Sequence, residues 1–287
     1  MYYLLLIIFY PISVLPFWVL YGISDGMFFL VYQVFGYRKN VVMDNLTKSF
    51  PEKSQEELQI IAKQFYKNLC DSVVETIKLL TITNAEINKR FTCNYEVVNN
   101  ATGKGRIVQA HLSHTFNWEW GTVASNLNMH VTFTALYNRV TNEAFNKLIY
   151  KMRTRSGSIM IDMDDMQSVM AEYQKKDICW CFIADQNPSE PRRGAWVDFF
   201  GRETSFFKGA ELIARRYNNI VLFGTIKRMK RGYYHLQLEK KYDNAKATND
   251  GEITTAYVRY LENEIRQQPD NWVWSHRRWK HIRKASN

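Results

Sequence analysis

His114 and Glu119 are the residues in this sequence whose types and spacing best suit catalysis. A neutral imidazole accepts a proton from an attacking hydroxyl. A carboxylate on its other ring nitrogen fixes the tautomer and stabilises the charged form. Five positions apart on one continuous helix, the two side chains would stand about 140° apart around the axis. They meet more easily if His114 lies in a turn and Glu119 on the first helical turn after it. Asn117 suits the N-cap of that helix, and free backbone N–H groups at a helix start can hold a developing oxyanion. An ordinary reading fits the same spacing: Glu119 complements the helix dipole and His114 is a polar loop residue. His111 and His114 also form an H-x-x-H pair, a weak metal signal without further clustered ligands. No metal and no cofactor is expected.

The elements around these residues must hold them at the end of a strand. Short β-rich runs at 106–110, 131–137, 158–161, 178–184 and 220–227 alternate with helical segments at 118–127, 142–154, 166–174 and 209–217. A strand at 233–239 and a helix at 252–267 complete the series. This order predicts an α/β fold, a mixed sheet flanked by helices. Residues 41–83 read as helical, with a polar stretch from Pro51. The expected organisation is an N-terminal membrane anchor over 1–37 and one catalytic domain over 38–287.

Residues 1–24 carry no charged side chain, and the run is long enough to cross a hydrocarbon core as a helix kinked at Pro11 and Pro16. It lacks the basic start and small-residue end of a signal peptide, so it is expected to be retained. Residues 27–37 form a second apolar piece, too short to span and suited to the interface, with Arg38 and Lys39 directly after it. The positive-inside rule then puts the rest of the chain in the cytoplasm. Cys70, Cys93, Cys179 and Cys181 form no C-x-x-C pair and read as reduced packing residues.

The formal net charge is +10, which suits nucleic acid, anionic lipid or an acidic partner. Nucleic-acid binding explains the charge but not the His–Glu spacing. Trp272, Trp274 and Trp279 interleave with His276, Arg277, Arg278, Lys280, His281, Arg283 and Lys284. This cluster reads as packing combined with contact to a lipid headgroup or an acidic partner protein. A second basic run, 227–231, reads as a solvated hairpin turn.

Several blocks in order resemble one family. His114-Thr115-Phe116-Asn117-Trp118-Glu119 matches the H-x-x-x-x-[DE] signature of glycerolipid-type acyltransferases. Its ending is similar to the branch of bacterial lipid A biosynthesis acyltransferases that add lauroyl or myristoyl groups. Tyr37-Arg38-Lys39, Asn45-Leu46 and Phe50-Pro51-Glu52 resemble that branch's early block. Asp185-Gln186-Asn187-Pro188 and Val197-Asp198-Phe199-Phe200-Gly201-Arg202 resemble its middle block. The run 269–280 resembles its closing block. The resemblance implies direct transfer of a fatty acyl chain from an acyl thioester, usually acyl-acyl carrier protein, to a hydroxyl of a membrane lipid. The implied acceptor is a lipid A precursor, and mannosylated, amino-acid or lyso-glycerolipid acceptors occur among relatives. It further implies the cytoplasmic side of a bacterial inner membrane, His114 as general base and Glu119 as its orienting partner. Arg153 and Asp185 fall where the family places further polar residues, here expected to bind substrate with Asn117. Arg139 is displaced by one position from the family's arginine and is given no role.

Overall fold

The computed structural model describes residues 1–103 and 105–283; Lys284 lies outside them. The chain runs from its N-terminal helices to the third strand of the central sheet. In order come α1 (Tyr2–Val14), α2 (Phe17–Phe28), α3 (Lys39–Ser49), α4 (Gln55–Lys78), α5 (Asn84–Arg90), β1 (Phe91–Cys93), α6 (Glu96–Asn99), β2 (Val108–Leu112), α7 (Trp118–Asn128) and β3 (Thr132–Tyr137). Then follow α8 (Glu143–Arg153), β4 (Ile159–Asp162), α9 (Met166–Tyr173), β5 (Ile178–Ile183), β6 (Ala195–Phe199), β7 (Arg202–Phe206), α10 (Gly209–Tyr217), β8 (Ile220–Lys230), β9 (Tyr233–Tyr242) and α11 (Glu252–Gln267).

Seven strands form one sheet in the order β1-β9-β8-β2-β5-β3-β4. Its middle is parallel, and β9 runs antiparallel to β8. This is the mixed, helix-flanked sheet that the alternation predicts. The buried central strand β5 reads as a continuous apolar run because helices cover both faces, whereas β2, equally buried, places Gln109 and His111 between its apolar residues. The helical stretch predicted from residue 41 divides at Pro51 into α3 and α4. Ser54 opens α4 with a capping box: its hydroxyl accepts from the Glu57 N–H, and the Glu57 carboxylate accepts from the Ser54 N–H.

The N-terminus departs from the expected single helix. Leu15 is extended before Pro16, and the helix breaks there, because proline pushes its predecessor out of helical backbone. Pro11 stays inside α1. The 13 residues of α1 rise only ~20 Å, short of a ~30 Å hydrocarbon core. The second apolar piece is instead continuous with α2 through a π-helical turn, Phe29–Val34. Together, Phe17–Val34 make an 18-residue apolar helix that suits a membrane anchor by length and composition.

One face of this helix is tied to the rest of the protein. Ser24 donates to the Asp71 carboxylate at 2.6 Å, and Tyr21 donates to Glu75 at 3.0 Å. The basic run 227–231, expected to be a solvated hairpin turn, is the end of β8 with Arg231 in the turn after it, and two of its arginines serve a buried carboxylate. Arg228 meets Asp71 at 2.6 Å, and Arg231 bridges Asp71 and Asp25 at 2.7 Å each. A buried carboxylate needs such partners, since an unpaired charge there is expensive.

Candidate active site

His114 and Asp185 meet because of strand order. In the parallel pair β2–β5, Leu112 stands beside Ile183. Two residues further along each chain, past the carboxyl ends of both strands, come His114 and Asp185. Open α/β sheets commonly gather their functional groups at such ends. The imidazole Nδ1 lies 2.6 Å from Asp185 Oδ1. The His114 backbone N–H donates to Oδ2 at 2.9 Å, and the Trp272 indole N–H donates to the same oxygen at 2.7 Å. Asp185 is buried, and His114 is partly open. Burial pushes the Asp185 carboxyl up, but the His114 charge and the bonds from His114 and Trp272 outweigh it and leave the group below its ordinary range. It therefore stays a carboxylate beside the ring.

The three sequence blocks of the family resemblance converge behind this pair. From the early block, Asn45 donates to the carbonyls of Trp274 and His276, and Arg38 to that of Ser275. From the closing block, Arg278 reaches Asn187 Oδ1 at 2.7 Å and the Ser205 carbonyl at 2.8 Å. The C-terminal cluster is thus packed, as irregular chain. Trp272, Trp274 and Arg278 are buried, whereas Arg277, Lys280 and Arg283 face solvent.

Glu119 is not the carboxylate on His114. It forms a two-pronged ion pair with Arg153, Nε to Oε2 at 2.8 Å and Nη2 to Oε1 at 2.6 Å. The Trp118 indole also donates to it at 3.1 Å. The helical phase explains the difference: Glu119 lies in the first turn of α7 and faces α8, where Arg153 is the last residue. Asn117 is the N-cap, as its residue type predicts, and its Oδ1 accepts from the N–H groups of Glu119 and Trp120. Those two N–H groups are therefore taken and do not await an oxyanion. The Asn117 amide donates to Glu75 at 2.8 Å, so its polar atoms hold the turn and are not offered to a substrate. His111, inside β2, contacts Gln109 and is buried, which pushes its imidazole down to about 3 and keeps it neutral. Arg139, given no role, pairs with Asp162 and Asp165.

Sequence reading missed Glu75. It sits in α4 and accepts hydrogen bonds from Asn117, Tyr21 and Tyr234, bracing the turn between His114 and α7. Burial pushes it up to about 7; bonds from Tyr234 and Asn117 and the charge of Arg228 oppose this, while Asp71 adds to it. The unfolded chain would release this proton near the ordinary value of 4.5. Between these values the folded state binds the extra proton, so this group makes stability fall as pH rises from about 4.5 to about 7. Glu75→Gln is expected to flatten that fall. Urea midpoints of both proteins at several pH values across the interval check it, and parallel curves would refute it.

A cavity of about 590 Å³ opens on this site. His114, Ser113, Arg153 and Trp118 line its polar end; Phe133 and Leu236 lie among its apolar walls. The Trp118 ring packs edge-on to the imidazole at 5.3 Å. The Ser113 hydroxyl is buried without a hydrogen-bond partner among the described residues. Arg153 uses Nε and Nη2 on Glu119, and among the described residues Nη1 bonds to nothing.

The arrangement offers a base, a stationary carboxylate, spare donors and an apolar space. Several known proteins are similar to this chain in sequence. A lipid A biosynthesis lauroyltransferase of Escherichia coli (strain K12) is 23% identical over 272 residues, covering 93% of this chain and 87% of that protein. A lipid A biosynthesis palmitoleoyltransferase of the same strain is 22% identical over 247 residues, covering 85% of this chain and 79% of that protein. A lipid A biosynthesis acyltransferase of Shigella flexneri matches with the same identity and coverage. The family described as bacterial lipid A biosynthesis acyltransferase matches residues 1–281, and the chain belongs to that family.

Proposed function

We propose that this protein transfers a fatty acyl chain from acyl-acyl carrier protein to a hydroxyl of a lipid A precursor, at the cytoplasmic face of a bacterial inner membrane. The observation that carries the reading is the His114–Asp185 contact at 2.6 Å on the wall of the large cavity. Asp185 holds a proton on Nδ1, which leaves Nε2 as the acceptor. The acceptor hydroxyl oxygen attacks the thioester carbonyl carbon while Nε2 takes its proton. The carbon–sulfur bond then breaks, and the imidazolium returns the proton to the leaving thiolate. No acyl-enzyme forms. Ser113 and the spare Nη1 of Arg153 supply hydrogen bonds to the carbonyl oxygen as its charge grows. The apolar part of the cavity receives the acyl chain.

The names of the relatives support the acceptor, and Arg38 and Lys39 after the apolar segment support the cytoplasmic side. Arg277 and Lys280, exposed beside the site, suit an acidic carrier protein. The test incubates the purified protein in detergent with lauroyl-acyl carrier protein and a lipid A precursor. The expected product is the precursor one acyl ester heavier, with an equal amount of free carrier thiol. Thiol release without an acylated lipid would make the protein a thioesterase and end the proposal.

A further inference from the structure

A second apolar cavity, of about 390 Å³, lies on the other side of the Trp118–Glu119 turn. Its walls include Phe9 of α1, Val73 and Thr76 of α4, Leu80 just after that helix, and Leu148 and Met152 of α8. Trp118 borders both cavities, Arg153 the first and Glu119 the second. The Arg153–Glu119 ion pair and the Trp118 indole bonded to it therefore form the partition between them. The second cavity reaches α1 at Phe9, and α1 carries an exposed apolar surface. Ile7, Ile8 and Tyr10, on either side of Phe9, are exposed, as are Val73 and Phe145 near the mouth. An apolar hollow joined to such a surface is filled by hydrocarbon at lower cost than by water.

We infer that this cavity takes one hydrocarbon chain of the acceptor lipid, drawn directly from the bilayer. The inference rests on the proposed acyl transfer and names how the acceptor is held. The donor thioester must reach His114 in the first cavity, and a water-soluble carrier does not deliver its chain from within a membrane. The acceptor resides there already. With one of its chains behind Trp118, its headgroup hydroxyl is brought to the partition and so to His114. Two chains on opposite sides of one wall would keep donor and acceptor apart until their polar ends meet.

The test uses vesicles containing a lipid with a diazirine at the end of an acyl tail, and maps the crosslinked residues. Crosslinks are expected at the buried Leu148 or Met152 as well as at the exposed Ile7 and Ile8. Val73→Trp, which fills the mouth, is expected to remove the deep crosslinks and keep those on α1. In turnover it is expected to raise KM for the lipid acceptor about tenfold or more, the scale on which apolar pockets discriminate, with kcat and the donor KM unchanged. Thr76→Phe, one turn further along α4 on the same cavity wall, gives the same readout should Val73→Trp unfold early. Crosslinks confined to exposed α1 residues would overturn the inference. So would a shift in donor KM or donor chain length, which would assign the cavity to the donor. Crosslinking needs no turnover, so deep labelling in a protein inactive on lipid A precursors would fault the proposed function and leave the cavity assignment standing.

Discussion

Replacing His114 with alanine is expected to lower kcat by about 100- to 10,000-fold, the usual worth of a positioned general base. KM for donor and acceptor should stay within a few fold, because the apolar walls that hold both chains are untouched. The loss falls on the transition state: an unassisted hydroxyl must shed its proton to water while it attacks the thioester. Folding is not at stake, since the side chain is partly open and its ring hydrogen bond is to Asp185 alone among the described residues. His111 gives no substitute. It lies within β2, away from the cavity wall, and its burial keeps it neutral and enclosed. Steady-state rates of ester formation, with matching thermal melts, check this. Turnover at the native level in His114→Ala would end the general-base mechanism.

The sheet was largely legible in the sequence because its strands are buried on both faces and its helices keep a 3.6-residue period. Runs such as 178–184 leave few alternatives once flanking helices are placed. The hairpin β6–β7 was not legible. Its turn is Phe200-Gly201, with both residues at positive φ, and a phenylalanine there carries no turn signal. Tertiary contacts supply what propensity lacks: the Phe200 ring packs on Phe50 and Trp274, and its N–H donates to Glu262.

The site divides in the same way. A histidine just past a predicted strand pointed to a turn that lines the large cavity, and the N-cap role of Asn117 followed from local chemistry. The partner of that histidine did not. Glu119 is near in sequence, whereas Asp185 is near only because β5 lies beside β2, a fact of sheet order that no local pattern contains. Glu75 was hidden for a related reason, as one acidic residue on a long amphipathic helix. Its role appears only when Tyr21, Asn117 and Tyr234, from three other segments, are seen to donate to it.

Asp185→Asn is expected to cost about as much as removing the base itself, on the order of 10,000-fold where the wrong tautomer is imposed on a histidine. The orientation of the new amide is forced. Two donors, the His114 N–H and the Trp272 indole, converge on Oδ2, so the amide oxygen must take that place. The amide NH₂ then faces Nδ1, which can only accept from it, and the ring proton moves to Nε2. The nitrogen that should receive the hydroxyl proton is then already protonated. Glu119→Gln meets a different fate. It keeps one oxygen for Arg153 and leaves the His114 tautomer alone, so its loss in kcat should be far smaller and accompanied by a change in KM as the Trp118 partition loosens. Nitrogen chemical shifts of the His114 ring distinguish the two: the Nε2–H form is expected in Asp185→Asn and the Nδ1–H form in Glu119→Gln. A larger loss in Glu119→Gln than in Asp185→Asn, with the Nδ1–H form kept in both, would mean that Glu119 and not Asp185 governs the imidazole during turnover.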